Sequence, residues 1–302
     1  MARLSATSSA VDTNGHIKEP TTVPLPAEGD VPLSKPFSHD DTEISTSNND
    51  DDEETPLPSS DSYPVSHDPT LLPGGSRDLC FIGLQAFVLG SLFALSICAT
   101  ITLVFVQPSR WWRLPAFAIC FSVFHFMEFW TTAAYNTPSC RASSFLLFNN
   151  GKAYAIANLL AALEITISAF FPEYQAIGVY PTTIAVGLTL VIIGQFVRSM
   201  AMVQASTNFN HIVQSERKDT HVLVTKGFYS VFRHPSYFGF FWWSIGTQLL
   251  VGNKVCLVGF AVVLWKFFNR RIAIEEKHLV MFFGDDYENY RKRTGTLMPF
   301  IG

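Results

Sequence analysis

The sequence predicts an all-α, multi-span integral membrane protein with about six transmembrane helices followed by cytosolic C-terminal helices. Three observations carry that prediction. Nearly charge-free apolar runs recur from residue 78 onward, several of them longer than the roughly 20 residues needed to cross a bilayer. Prolines and short polar turns separate the runs, where a missing amide proton and a restricted preceding residue break a helix. Lys and Arg gather after the fourth and sixth runs, as the positive-inside rule expects of cytosolic segments.

Residues 1–75 stand apart from this body. They carry 14 acidic and 3 basic side chains, against 11 and 18 over 76–302, so the net charge of -4 divides into a -11 tail and a +7 body. The tail is rich in Ser, Thr and Pro, contains the run Asp50-Asp-Asp-Glu-Glu54, and has few large apolar residues. Such a segment buries too little surface to offset its ordering entropy and is expected to be disordered. It has no signal-peptide core. Domain organisation is therefore an acidic tail over 1–75 and a membrane-embedded domain over 76–302.

The first two spans are expected over 80–106 and 111–135, parted by Gln107-Pro-Ser. The third and fourth cover 153–171 and 176–200, split at Phe171-Pro-Glu-Tyr. A shorter hairpin, 237–251 and 255–268, turns at Gly252-Asn253-Lys254 and is either tilted or partly re-entrant. Beyond it, Ile272, Leu279, Phe282 and Phe283 mark an amphipathic helix,. Gly284 punctuates it, and Asp285-Asp-Tyr-Glu opens a short last helix with acid at its start,. Basic residues at 198–233 and 270–293 put both regions on the cytosolic side, with Arg110 and Arg113 arguing weakly the other way,. The five cysteines show no CxxC and no paired spacing, so neither a disulfide framework nor a metal site is expected,. The C-terminus has no prenylation box,.

The densest chemistry is Gly227-Phe-Tyr-Ser-Val-Phe-Arg-His-Pro-Ser-Tyr-Phe-Gly239, which precedes the hairpin. Ionisable groups at a membrane boundary are costly to keep and are functional candidates by default. A second cluster, Arg271, Glu275 and Glu276, follows the hairpin. Arg271 and Glu275 share one helix face, one turn apart. As a surface ion pair they contribute little; as separate clamps they offer one charge to an anion and the other to a cation. Glu128 and Glu164 sit within apolar runs and need partners, as polar glue between helices or, less simply, as catalytic groups,. The bland readings are an interfacial His234, belt aromatics at Tyr229 and Tyr237, and a solvated face at Glu275 and Glu276.

Residues 78–302 resemble the isoprenylcysteine carboxyl methyltransferase family, membrane enzymes that methylate the terminal carboxylate of prenylated proteins. The matching strings are Asn208-Phe-Asn-His-Ile-Val-Gln214, Asp219-Thr-His-Val-Leu-Val-Thr225, the 227–239 segment, Trp243-Ser-Ile-Gly-Thr-Gln248, Phe282-Phe-Gly-Asp-Asp-Tyr287 and Leu297-Met-Pro-Phe-Ile301. Phe124-His-Phe-Met-Glu-Phe129 and Ser144-Phe-Leu-Leu147 are similar as well. Arg-His-Pro-x-Tyr alone recurs in related membrane methyltransferases and reductases; the ordered set is specific.

The resemblance implies S-adenosylmethionine as cofactor, held without a Rossmann fold, and no G-x-G-x-x-G loop is present,. Its contacts are implied at Gln214, His221, Val222, Leu223, Val224, Tyr229, His234, Pro235, Ser236, Tyr237 and Glu275. Arg271 is expected to hold the substrate carboxylate and, with Glu275, to form the catalytic pair. The implied partners are prenylated proteins ending in an isoprenylcysteine, together with membrane lipid; no nucleic-acid partner is expected. The implied location is the endoplasmic reticulum membrane, with the site facing the cytosol. Rival readings are a membrane methyltransferase acting on phospholipid amines, a nicotinamide-dependent membrane reductase and a non-catalytic scaffold for prenyl tails.

Overall fold

The computed structural model describes residues 68–301 apart from 172, 175–179 and 218. The expected disordered tail therefore lies, up to residue 67, outside the described residues. Residues 68–78 form turns, and Asp78 accepts the Phe81 amide (2.9 Å), capping the first helix,.

Every element of the described body that exceeds one or two turns is helical. In chain order these are α1 (Leu79–Ile101), α2 (Arg113–Tyr135), α3 (Gly151–Phe170), α4 (Pro181–Ala205), α5 (Pro235–Val251), α6 (Val255–Phe283) and α7 (Asp285–Arg293). Pro181 and Pro235 each open a helix, where the missing amide costs nothing,. Gly252 closes α5 at φ +71°, a left-handed conformation that glycine adopts without a Cβ penalty,. Glu164 of α3 accepts the backbone amides of Lys254 (2.6 Å), Val255 (2.9 Å) and Cys256 (2.7 Å). Its carboxylate thus serves the otherwise unpaired first turn of α6, the use of polar glue the sequence favoured.

Among the described residues, four helices are long and apolar enough to cross a membrane: Leu79–Val106, Arg110–Tyr135, Gly151–Phe170 and Pro181–Asn208. The expected last hairpin is present as α5 and α6 but is not among them. α5 has 17 residues, about 26 Å at the helical rise, short of the ~30 Å hydrocarbon core. α6 does not end at Phe268; it continues through the predicted amphipathic segment as one helix of 29 residues. Its buried positions are Phe268, Ile272 and Glu276, and its charged second half carries Arg271, Glu275 and Glu276.

α4 and α5 form the most closely packed pair. Gly187 and Gly194 of α4 meet Gly246 and Gly239 of α5, small residues that let two backbones touch. A Cβ on Gly194 would lie 2.5 Å from the Trp243 nitrogen. α2 joins this pair through Phe124, Val191, Trp243 and Leu250. The C-terminal segment folds back so that Met298 and Ile301 pack on Phe241, Phe268 and Ile272. It is tied there by the Arg233 amide to the Gly295 carbonyl (2.9 Å) and by Arg233 Nη1 to the Thr294 carbonyl (2.7 Å).

Candidate active site

Two cavities meet where α5, α6 and the 208–212 loop converge. The larger, about 520 Å³, runs among α3, α5 and α6, with Phe240, Trp243, Phe260 and Phe267 on its walls and Arg198, His211 and Arg271 at its charged end. The smaller, about 140 Å³, is bounded by 222–224, Tyr229, 233–237 and Glu275. Phe209, Asn210, Ser236 and Tyr237 line both. One wall therefore separates an apolar chamber from a mixed polar one.

Tyr237 stands at that junction. Its hydroxyl donates to Glu275 Oε2 (2.5 Å) and accepts from Arg271 Nε (2.8 Å). Arg271 faces the large cavity and Glu275 the small one, so one phenol links two opposite charges that do not pair directly. Burial, reinforced by the Glu275 carboxylate, pushes the Tyr237 hydroxyl well above the ordinary phenol range and keeps it a donor,. The Arg271 guanidinium lies over the Tyr237 ring (5.4 Å) and the Phe267 ring (5.8 Å),. Its Nη2 donates to the His211 carbonyl. Nη1 has no partner among the described residues and is left to the large cavity.

Beneath this lies a buried ion network. Glu128 of α2, 1 % exposed, accepts from Arg198 Nε, from Arg198 Nη2 (2.8 Å) and from His211 Nε2 (2.9 Å). Arg198 Nη1 donates to the Ser236 hydroxyl (2.9 Å). The carboxylate satisfies one arginine and anchors the histidine whose carbonyl holds the other, as a buried charge must be paired to persist.

On the far side of the small cavity, Arg233 Nε and His234 Nε2 donate to Glu276 Oε1 at 2.8 Å and 3.2 Å. Burial pushes the Glu276 carboxyl up, but the His234 hydrogen bond and the Arg233 charge outweigh it and hold it below the ordinary carboxylate range. The His234 ring stacks on Tyr237 at 5.4 Å, fixing its orientation. Burial raises the Tyr229 hydroxyl as well.

Of the residues predicted from sequence, Val222, Leu223, Val224, Tyr229, His234, Pro235, Ser236, Tyr237 and Glu275 all line the small cavity, and Arg271 lines the large one. Gln214 and His221 are not in either wall; the Gln214 amide instead donates to the Ile212 carbonyl (3.1 Å). Arg233 belongs to the 227–239 segment that the sequence marks as a functional candidate, without a role of its own; Arg198 and His211 are not singled out by the sequence as site residues. For Arg198 a signal existed: opposite charges at Glu128 and Arg198, each within an apolar run, need one another.

The model of the isoprenylcysteine carboxyl methyltransferase (ICMT) family matches residues 185–281. The chain is 47 % identical over 189 residues to the protein-S-isoprenylcysteine O-methyltransferase of Saccharomyces cerevisiae, covering 61 % of this chain and 79 % of that one. It is 43 % identical over 221 residues to the human protein of the same name, covering 73 % and 75 %. A solved structure of a eukaryotic intramembrane Ras methyltransferase, ICMT, superposes with a TM-score of 0.67 at 36 % identity, covering 73 % of this chain and 77 % of that one.

Proposed function

The chain belongs to the isoprenylcysteine carboxyl methyltransferase family, and we propose that it esterifies the C-terminal carboxylate of isoprenylated proteins with a methyl group from S-adenosylmethionine. The observation that carries this assignment of parts is the Tyr237 wall, with a cation on its apolar side and an anion on its mixed side.

The donor set of the small cavity suits that cofactor. Glu275, its side chain 28 % exposed, offers a carboxylate to an ammonium group. Tyr229 and Tyr237 offer aromatic faces to a sulfonium,. Val222, Leu223 and Val224 offer an apolar wall to a purine. S-adenosylmethionine bound there supplies an electrophilic methyl group. Gln214 and His221, outside the cavity wall, are not needed for this reading.

The chain's own work is binding, orientation and exclusion of water. A C-terminal carboxyl with a pKa of about 3.3–3.7 is already ionised at neutral pH, so no general base is required. Arg271 presents Nη1 to the carboxylate from a guanidinium whose other edges are held by Tyr237 and the His211 carbonyl. Holding one carboxylate oxygen leaves the other free to attack. The aromatic walls of the large cavity accept the isoprenoid and strip water from the nucleophile, and positioning to roughly 3–3.5 Å supplies much of the rate,. Arg217, Lys226, Arg233, Arg271 and Lys277 all lie toward the end of the helices that carries the site. This supports a site facing the cytosol, and we place the protein in the endoplasmic reticulum membrane.

The test is incubation of membranes bearing the chain with methyl-labelled S-adenosylmethionine and N-acetyl-S-farnesylcysteine. The expected product is a base-labile methyl ester on the farnesylcysteine. Label found only in base-stable lipid amines would move the enzyme to the phospholipid reading, and no transfer would refute the assignment.

A further inference from the structure

The motif Asn208-Phe-Asn-His-Ile stands between the two cavities, and the chemistry above uses none of its side chains. Several of its groups, side chain and backbone, are nonetheless committed. The Asn208 carboxamide accepts the Val222 amide (2.8 Å), and the Phe209 carbonyl accepts from Asn136 (2.9 Å). His211 does two things at once. Its ring donates to Glu128, and its carbonyl accepts from Arg271 Nη2. Glu128 is itself fixed by Arg198, which is anchored to Ser236 at the mouth of α5.

From this geometry we infer that His211, held by Glu128, is a positioning residue that aims the Arg271 guanidinium at the substrate carboxylate. The inference rests on the proposed role of Arg271. Without an anchor at both Nε and Nη2, a guanidinium at the end of a flexible side chain sweeps many rotamers, and the rigid fork that makes arginine a carboxylate receptor is lost. Tyr237 fixes one edge and the His211 carbonyl the other. A loop carbonyl can serve as a fixed acceptor only if the loop is pinned. The Glu128–His211 bond supplies the pin from inside the helix bundle, where a carboxylate locked by Arg198 has little freedom to move,.

A positioning role and a merely structural one differ in what they spare. In the full chain in nanodiscs with S-adenosylhomocysteine, affinities are measured for N-acetyl-S-farnesylcysteine and for its methyl ester. The acid offers Arg271 a carboxylate and the ester only a neutral carbonyl, so the ratio reads the charge-assisted bond to the guanidinium, while ester affinity reads mainly the apolar cavity. We expect the wild-type chain to favour the acid tenfold or more. His211→Ala, which spares the buried Glu128–Arg198 pair, should bring that ratio to within twofold while leaving ester affinity unchanged. His211→Gln, whose amide nitrogen can reach Glu128, should restore the ratio. Wild-type discrimination in His211→Ala would overturn the inference, as would an equal loss of affinity for acid and ester. A wild-type chain that binds both equally would instead refute the Arg271 assignment, and with it the role of His211.

Discussion

Removing one oxygen, in Tyr237→Phe, tests the junction of the two cavities. The ring keeps its packing, stacked on His234 at 5.4 Å and tilted against Phe268 at 5.1 Å. Two hydrogen bonds vanish, to Glu275 at 2.5 Å and from Arg271 at 2.8 Å. Each joins a neutral hydroxyl to a charged group, a class worth about 1.5–3 kcal/mol. The full sum is not expected. Arg271 and Glu275 lie one helical turn apart and relax toward each other and toward water once the phenol is gone. A net loss of about 2–3 kcal/mol corresponds to ~30–150-fold in kcat/KM. Initial rates against both substrates, with far-ultraviolet circular dichroism to verify the fold, decide the matter. The loss should fall mainly on kcat, because the bond network orients the reacting groups more than it binds either partner. A kcat/KM within threefold of wild type would show that the hydroxyl is dispensable and the bridge incidental.

Arg271→Lys retains the charge but loses the planar fork, so kcat/KM for the farnesyl substrate should drop ~10–100-fold, with cofactor affinity within threefold by isothermal titration. Gly194→Leu should destabilise the α4–α5 pair by about 1–3 kcal/mol or more, because even its Cβ lies 2.5 Å from the Trp243 nitrogen; Gly90→Ala, whose Cβ meets nothing within 4 Å, is the control, and melting in detergent compares them. Glu276 is held below its ordinary value of 4.5 in the folded chain, so the stability it contributes is fully present above that value and is lost as pH falls through the lowered pKa. The melting temperature should therefore drop below about pH 4.5, and Glu276→Gln should flatten that part of the profile; an unchanged profile would refute the linkage.

The local parts of the site were legible because they are local. The 227–239 segment concentrates Tyr229, His234 and Tyr237 within a few residues, and the Arg271–Glu275 spacing places both on one face of α6, a turn apart. What sequence spacing does not carry is the contact between those strings. That Tyr237 would stand between Arg271 and Glu275 depends on how α5 packs on α6. That Glu128 would bind Arg198 and His211 together depends on the α2–α4 approach. The continuity of α6 was missed for a different reason. Hydropathy falls sharply after Phe268, but no Gly or Pro interrupts 260–283. A helix ends where backbone hydrogen bonding ends, whatever the solvent preference of its side chains. The same distinction bears on the span count: α5 is largely apolar, though it carries Ser236, Ser244, Thr247 and Gln248, and it is only 17 residues long. Gln214 and His221 came from the family pattern alone, with no local geometry to place them, and neither reaches the cavity wall.

In the proposed arrangement one wall at Tyr237 separates a donor chamber from a prenyl chamber, and Arg271 reaches across the second to the carboxylate. A structure of the chain with S-adenosylhomocysteine and N-acetyl-S-farnesylcysteine bound tests it most directly. The expected result is the cofactor sulfur beside Tyr237 in the smaller cavity, the farnesyl chain between α3 and α6, and the carboxylate within hydrogen-bond distance of Arg271 Nη1. A carboxylate held by any other group, or a farnesyl chain lying outside the larger cavity, would contradict it.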